Sequence, residues 1–331
     1  LTPTTILDGT IGFNTYKQDF RPPDYGVNYG LDELGIPGTN GPDERQSGFP
    51  WFATGLSTIG ESRSWYPMKR DDGSFSMSGN LTMLRGRHEL RFGGEAARLW
   101  LNHWQPEVGA GPRGGITLGR GPTALRGGAA PNLYNQYAAF LLGLPTVVGK
   151  SIQNELMTAR EWQFGLYVRD RWQVNSKVTI NAGIRWEYYP LMMRDGRGIE
   201  LLDLNTMEVL LGGVGGNADD LGIKVSKGLF APRVGVAWRV DDDTVFRTGF
   251  GVTYNPQPFA RPFRGFYPLT IAADYATLDN FVPYGRLENG IPEIPIPDTS
   301  SGRTPLPSNV LMRSPDPNNI DRGYVQSWNV T

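Results

Sequence analysis

Gly109-Ala110-Gly111-Pro112-Arg113-Gly114 has the spacing of a dinucleotide-binding loop. That chemistry needs a strand before the first glycine and a helix opening within the motif, so that backbone N–H groups meet a pyrophosphate. Pro112 and the neighbouring glycines make a loop instead, and no cofactor is expected. The two histidines, His88 and His103, lack the HExxH spacing of a zinc site, and the absence of cysteine excludes thiolate ligands and disulfides. No GxSxG nucleophile elbow occurs. Asp241-Asp242-Asp243 could attract Ca²⁺, but it lacks the spaced oxygens and closing Glu of an EF-hand loop and reads better as a solvated turn. Carboxylates are plentiful, yet nothing pairs them for acid–base work. The expectation is a protein without catalytic, cofactor or metal residues.

A different group of polar side chains shares a pattern. In Glu161–Pro190, Gln163, Gly165, Tyr167, Arg169, Arg171 and Gln173 alternate with Trp162, Phe164, Leu166 and Val168. After Asn175-Ser176-Lys177, Thr179, Asn181, Gly183, Arg185 and Glu187 alternate with Val178, Ile180, Ala182, Ile184 and Trp186. A period of two marks β-strands, and the short link marks a hairpin. Each run alternates for about twelve residues, twice the usual ~5–6 of a sandwich strand. Trp162 and Trp172 share a face ten residues apart. At ~3.3 Å per residue and a tilt of roughly 40°, they stand about 25 Å apart along a barrel axis, the height of a membrane band between aromatic girdles.

The pattern recurs over Thr5 to Tyr16, Ser74 to Leu84, His88 to Trp100, Arg233 to Val240, Phe246 to Tyr254 and Gly323 to Thr331. It adds Arg233, Arg239 and Arg247 to the polar face. Three connections are tight, near Gly86, Ser176 and Asp242. The others are long: about 17–73, 101–158, 190–229 and 255–322. Such loops are uncommon in compact soluble domains. Strict short–long alternation is the habit of outer-membrane barrels, with short periplasmic turns and long extracellular loops. The long segments mix Pro, Gly and charge, a composition hard to pack alone. Within the second, Pro131 to Leu142 has helical spacing at Tyr134, Tyr137, Ala138, Leu141 and Leu142, with Pro131 suited to the first turn. A net charge of −1 gives no footprint for nucleic acid. Glycine is 43 of 331 residues, well above the usual ~7% and suited to a membrane barrel. No run approaches the ~20 apolar residues of a spanning helix. No signal peptide opens the sequence, so one was cleaved or the sequence starts inside a longer chain.

"LRGRHELRFGGEAAR" (84–98), "NQYAAFLLGLP" (135–145), "GLYVRDRWQVNSKVTINAGIRWEYYP" (165–190), "FAPRVGVAWRV" (230–240) and "TVFRTGFGVTYN" (244–255) resemble the barrel of Oar-like TonB-dependent outer-membrane receptors, in order and in approximate spacing. The resemblance implies an all-β, antiparallel transmembrane barrel of about 22 strands around a plug. It also implies import of a bulky solute, driven by a TonB-type energy-coupling protein of the inner membrane. Residues 1–331 supply about eight strands. A plug, a TonB box and a terminal aromatic residue are missing, as in an internal section of a longer receptor. A closed eight-stranded barrel is the structural alternative, though its loops would be very long for so narrow a pore.

On this reading Tyr167, Arg169, Arg171, Arg185, Glu187, Arg233, Arg239 and Arg247 face the lumen, where they meet water, each other or a plug. The apolar faces meet outer-membrane lipid. Asp170 is the awkward residue on the apolar face, expected at the periplasmic rim or on a bulge that turns it inward. Trp51, Trp65, Trp104, Phe259, Phe263 and Phe266 are the loop aromatics. If exposed they would stack on a solute; the same residues would also serve simply to fold the loops together. The rival classes are a passive barrel and a secreted β-rich binding or adhesion module.

Overall fold

The computed structural model of the chain describes residues 4–60, 66–106, 110–256, 266–318 and 320–331. Eight long strands carry the alternating runs: β1 (Thr5–Phe20), β2 (Met68–Arg85), β3 (His88–Trp104), β4 (Met157–Gln173), β5 (Val178–Tyr188), β6 (Leu229–Arg239), β7 (Val245–Tyr254) and β8 (Tyr324–Val330). They form one antiparallel sheet in chain order, and the sheet is open: β1 and β8 do not pair with each other.

Each tight turn has its own local chemistry. Gly86 takes φ 60° between β2 and β3, a left-handed conformation that favours glycine. Asn175 Oδ1 accepts from the backbone N–H groups of Lys177 and Val178, both at 2.8 Å. Asp241 Oδ1 accepts in the same way from Asp243 at 3.0 Å and Thr244 at 2.8 Å. Asx turns of this kind reverse the chain within a few residues. The three turns lie together at one end of the sheet: Arg87 donates to the Val174 carbonyl, and Arg239 to the Ser176 carbonyl. The four long connections leave from the other end.

β1 to β4 run well past the alternating segments. β2 has 18 residues, about 60 Å of chain at ~3.3 Å per residue, which exceeds a band of about 25 Å even when tilted. Its additional residues, Met68 to Gly73, continue the pairing with β1 through Lys69↔Asp19, Asp71↔Lys17 and Asp72↔Tyr16.

The long connections are not structureless, which corrects the expectation drawn from their composition. Strands Thr58–Ile59, Trp51–Ala53, Gly115–Leu118, Pro145–Gln153 and Thr270–Ala276 form a five-stranded sheet drawn from three connections. Strands Glu200–Asp203, Glu208–Leu211 and Arg303–Pro305 form a second, three-stranded sheet drawn from two. Each connection alone is too poor in apolar residues to fold. Pooled, they bury Ile36, Phe52, Ile116, Leu118, Ala139, Val148 and Ile291 in one cluster. Another cluster joins Leu101 of β3 and Ala159 of β4 to Leu191, Met192, Ile199, Leu201 and Ile223 of the third connection. Leu101 and Ala159 lie on the polar side of the sheet by parity, so that connection folds back over the inner wall.

The helix of the second connection is α1 (Leu133–Leu141). Asn132 caps it, accepting from Tyr134 N at 2.9 Å, and Pro131 lies just before the cap, not in the first turn. The side facing the cluster is Ala139 and Phe140, whose ring meets Phe52 at 6.1 Å. Tyr134, Leu141 and Leu142 face outward. The Gly111–Gly114 stretch leads into strand Gly115–Leu118, not into a helix, so it is a loop; Gly109 lies outside the described residues.

Candidate functional site

Two faces of the eight-stranded sheet carry the chemistry. The outer face is fixed by lipid-like residues in register: Leu7↔Leu81, Leu81↔Phe92, Phe92↔Val168 and Val168↔Ile184 run straight across five strands. Aromatics gather towards both ends of this face. Trp172, Trp238 and Phe246 lie near the tight turns. Trp162, Phe164 and Tyr188 stack in series further up, at 5.7 and 6.3 Å. Asp170 is on this face, opposite Leu90 and Ala182, two residues from Trp172. The register runs through it without a shift, so no bulge turns it inward. It is a rim residue, and its partner is His88, with Nδ1 2.7 Å from Asp170 Oδ2. The His88 ring stacks on Trp172 at 5.5 Å.

The inner face is polar. Three registered rows cross it. Gly93, Tyr167, Arg185 and Ala231 make one; Arg91, Arg169, Gly183, Arg233 and Gly251 the next; Glu89, Arg171, Asn181, Gly235 and Gly249 the third. Across β1 to β5 the side chains link into a network. Asn80 donates to Asp8 at 2.8 Å and accepts from the Tyr167 hydroxyl at 2.6 Å. Arg169 donates to Glu89 at 3.0 Å, and Arg171 stands 3.7 Å from the same carboxylate. Arg185 is held between Glu95 and Glu187, with Nε 2.8 Å from Glu187.

Glycines make this network possible. A Cβ at Gly93 would collide with the Tyr167 ring, and a Cβ at Gly165 would collide with the Arg185 guanidinium. Both glycines weaken their strands in isolation, yet each marks a place where a long side chain lies flat across the neighbouring backbone. Part of the glycine excess thus has a structural purpose.

Of the residues expected at the lumen, Tyr167, Arg169, Arg171, Arg185 and Glu187 come together in this network. Arg233 borders it across Gly183. Arg239 and Arg247 lie towards the turns, apart from it. The acceptors Asp8, Asn80, Glu89 and Glu95 were not singled out, although they share the same alternation. For the loop aromatics, the exposure that solute stacking would need is corrected. Trp104 is 4% exposed, with the Arg45 guanidinium 4.6 Å above its ring. Phe266 is 1% exposed and lies 4.7 Å beneath Arg313. Trp51 is half-buried in a loop strand. These three fold the loops: Trp51 pairs with Gly115 of the second connection, Trp104 lies under Arg45 of the first, and Phe266 lies under Arg313 of its own. Trp65, Phe259 and Phe263 lie outside the described residues.

Outside the sheet, the third connection holds a buried ion triad. Arg194 donates to Glu200 at 2.7 Å, and Arg197 donates to the same carboxylate at 2.6 Å. Burial pushes the Glu200 carboxyl up, but Arg194 and Arg197 outweigh it and hold the carboxyl below its ordinary range. Lys150, in strand Pro145–Gln153, donates to the Asn40 carbonyl, and burial lowers its ammonium to about 8.

Long paired strands with an apolar, girdled outer face and a polar inner wall define the wall of a membrane β-barrel. The chain belongs to the outer membrane beta barrel domain family, whose model matches residues 1–331. It is therefore a protein of the bacterial outer membrane. No curated protein and no solved structure matches it.

Proposed function

We propose that the chain is the barrel section of a TonB-dependent receptor that moves a bulky solute across the outer membrane. The full barrel on this reading has about 22 strands, with the tight turns in the periplasm and the folded connections outside the cell. The observation that carries the reading is the folded cap over a polar wall. Four connections pool into two sheets, and the third folds back onto the inner face of β3 and β4. A barrel closed on eight strands has an interior only wide enough for its own side chains. It has little use for a cap of this size. A wide barrel does, because its mouth must admit a selected solute and little else.

The motif search is in keeping with such a role. The barrel supplies the path and a plug would gate it, so transport needs no catalytic group in this section. The outer membrane has neither ATP nor a usable ion gradient, and energy must arrive from the inner membrane through TonB. The test is uptake by cells with and without TonB. Uptake should stop on deletion while binding at the cell surface persists. Transport that continues without TonB would leave a passive barrel as the better reading.

A further inference from the structure

The inner wall is not evenly balanced in charge. Arg169 and Arg171 share Glu89, Arg185 lies between Glu95 and Glu187, and Arg91 stands 4.0 Å from Asp8. Arg233 has no ion pair among the described residues; its guanidinium donates a long hydrogen bond of 3.4 Å to Thr253 Oγ1. The Nε–H groups of Arg91 and Arg169 are buried and have no acceptor among the described residues. These three arginines share one row, with Gly183 between Arg169 and Arg233. A recess of about 470 Å³ opens there, lined by Arg91, Tyr167, Arg169, Arg185 and Arg233, by Gly183 between them and by apolar neighbours on the same strands.

We propose that this recess is an anion-binding station that takes a carboxylate or phosphate group of the transported solute. The proposal rests on the receptor reading and narrows its substrate class to anionic solutes. Arg169 and Arg233 stand two strand spacings apart, about 10 Å between backbones, so their long side chains can converge on one group above Gly183. A guanidinium offers a planar fork of donors that matches carboxylate and phosphate oxygens. Arginines lining a passage select anions for the same reason. Recesses of roughly 300–1,000 Å³ are the size that holds a small ligand. Small residues around Arg233, namely Ala231, Gly235 and Gly251, leave its fork accessible from the lumen.

The test uses the full-length protein in detergent, with inorganic pyrophosphate as the probe and calorimetric titration at low salt as the readout. Wild type should bind, and Arg233→Gln should weaken binding at least tenfold. Arg233→Lys, which keeps the charge and loses the fork, should fall between the two. Arg286→Gln removes the same charge from an exposed loop ion pair and should stay within twofold of wild type. No binding by wild type, equal binding by Arg233→Gln, or equal losses in both glutamine variants would each overturn the station. A wild type that ignores pyrophosphate, with a plug that becomes protease-sensitive in Arg233→Gln, would assign the arginines to an acidic side chain of the plug and overturn the solute site. The titration involves no TonB, so its failure is separate from failure of the uptake experiment.

Discussion

His88 Nδ1 meets Asp170 Oδ2 at 2.7 Å on the lipid-facing side of the sheet, beneath the stacked ring of Trp172. An ionisable residue on such a face is costly unless it is paired or near the interface. Both conditions hold here: the pair is next to the tight turns, where a charge on the lipid face costs only about 0–1 kcal/mol. His88→Ala should leave Asp170 without its partner, whereas Asp170→Ala should remove the charge altogether. A double-mutant cycle of unfolding in lipid should give a coupling of about 1 kcal/mol. Additive losses would mean that the two side chains ignore each other.

Ile184 and Asn181 test the division between the faces. Ile184 lies mid-strand on the outer face, between Val168 and Pro232. An arginine there should cost about 2–4 kcal/mol, as midplane charge on a lipid face does. Asn181 lies on the inner face between Arg171 and Gly235. Its replacement by arginine should be milder. Gly183 is a poor control, because a Cβ there would stand 2.7 Å from the Val168 carbonyl oxygen. Equal penalties for Ile184→Arg and Asn181→Arg, measured by unfolding in lipid, would remove the inside–outside assignment.

The sheet was legible in the sequence because lipid imposes a strict rule on it. Phe164, Leu166 and Val168 must all face one way, and a period of two survives for the whole crossing. Above the girdle the rule lapses. Lys69 to Asp72 continue β2 with charge on both faces, so that part of the strand carries no alternating signal. The loop sheets were hidden for a related reason. Trp51–Ala53 is too short to show a period, and its parallel partner Gly115–Leu118 belongs to another connection. Trp104 and Phe266 looked like loop-surface aromatics because the sequence does not disclose which distant segment covers them. The inner arginines followed from parity alone. Their pairing did not, since it depends on how far Tyr167 and Arg185 reach across Gly93 and Gly165.

Glu200 should make the cap acid-labile. Its side chain is 2% exposed and bound by Arg194, itself 3% exposed, and by Arg197. The folded carboxyl titrates below the ordinary value of about 4.5. Its stabilising contribution is therefore complete above about pH 4.5 and is lost as the pH falls through the lower folded value. Glu200→Ala should cost about 3–5 kcal/mol at neutral pH, because it takes the carboxylate away from the buried Arg194 cation. Protease protection of the segment around Arg194 checks both. A variant as protected as wild type, or a wild-type cap equally protected on either side of that pH window, would show that the triad contributes little.

Lys150 should add a second rise of stability with pH, in the alkaline range. It is 9% exposed, and its ammonium donates to the Asn40 carbonyl, tying the second connection to the first. Burial lowers its folded value from 10.5 to about 8. Between those limits the unfolded chain holds a proton that the folded cap has given up, so stability rises with pH from about 8 to about 10.5. Below about 8 the folded cap carries the charged amine at a standing cost. Lys150→Met removes the titration while keeping an unbranched side chain of similar length. The rise should be present in wild type and absent in Lys150→Met, read as protease protection of the cap across that range. At neutral pH the variant loses both the hydrogen bond to Asn40 and the cost of burying a charge, so its net change should be small, about 1 kcal/mol or less in either direction. A rise that persists in Lys150→Met would assign the titration to another group.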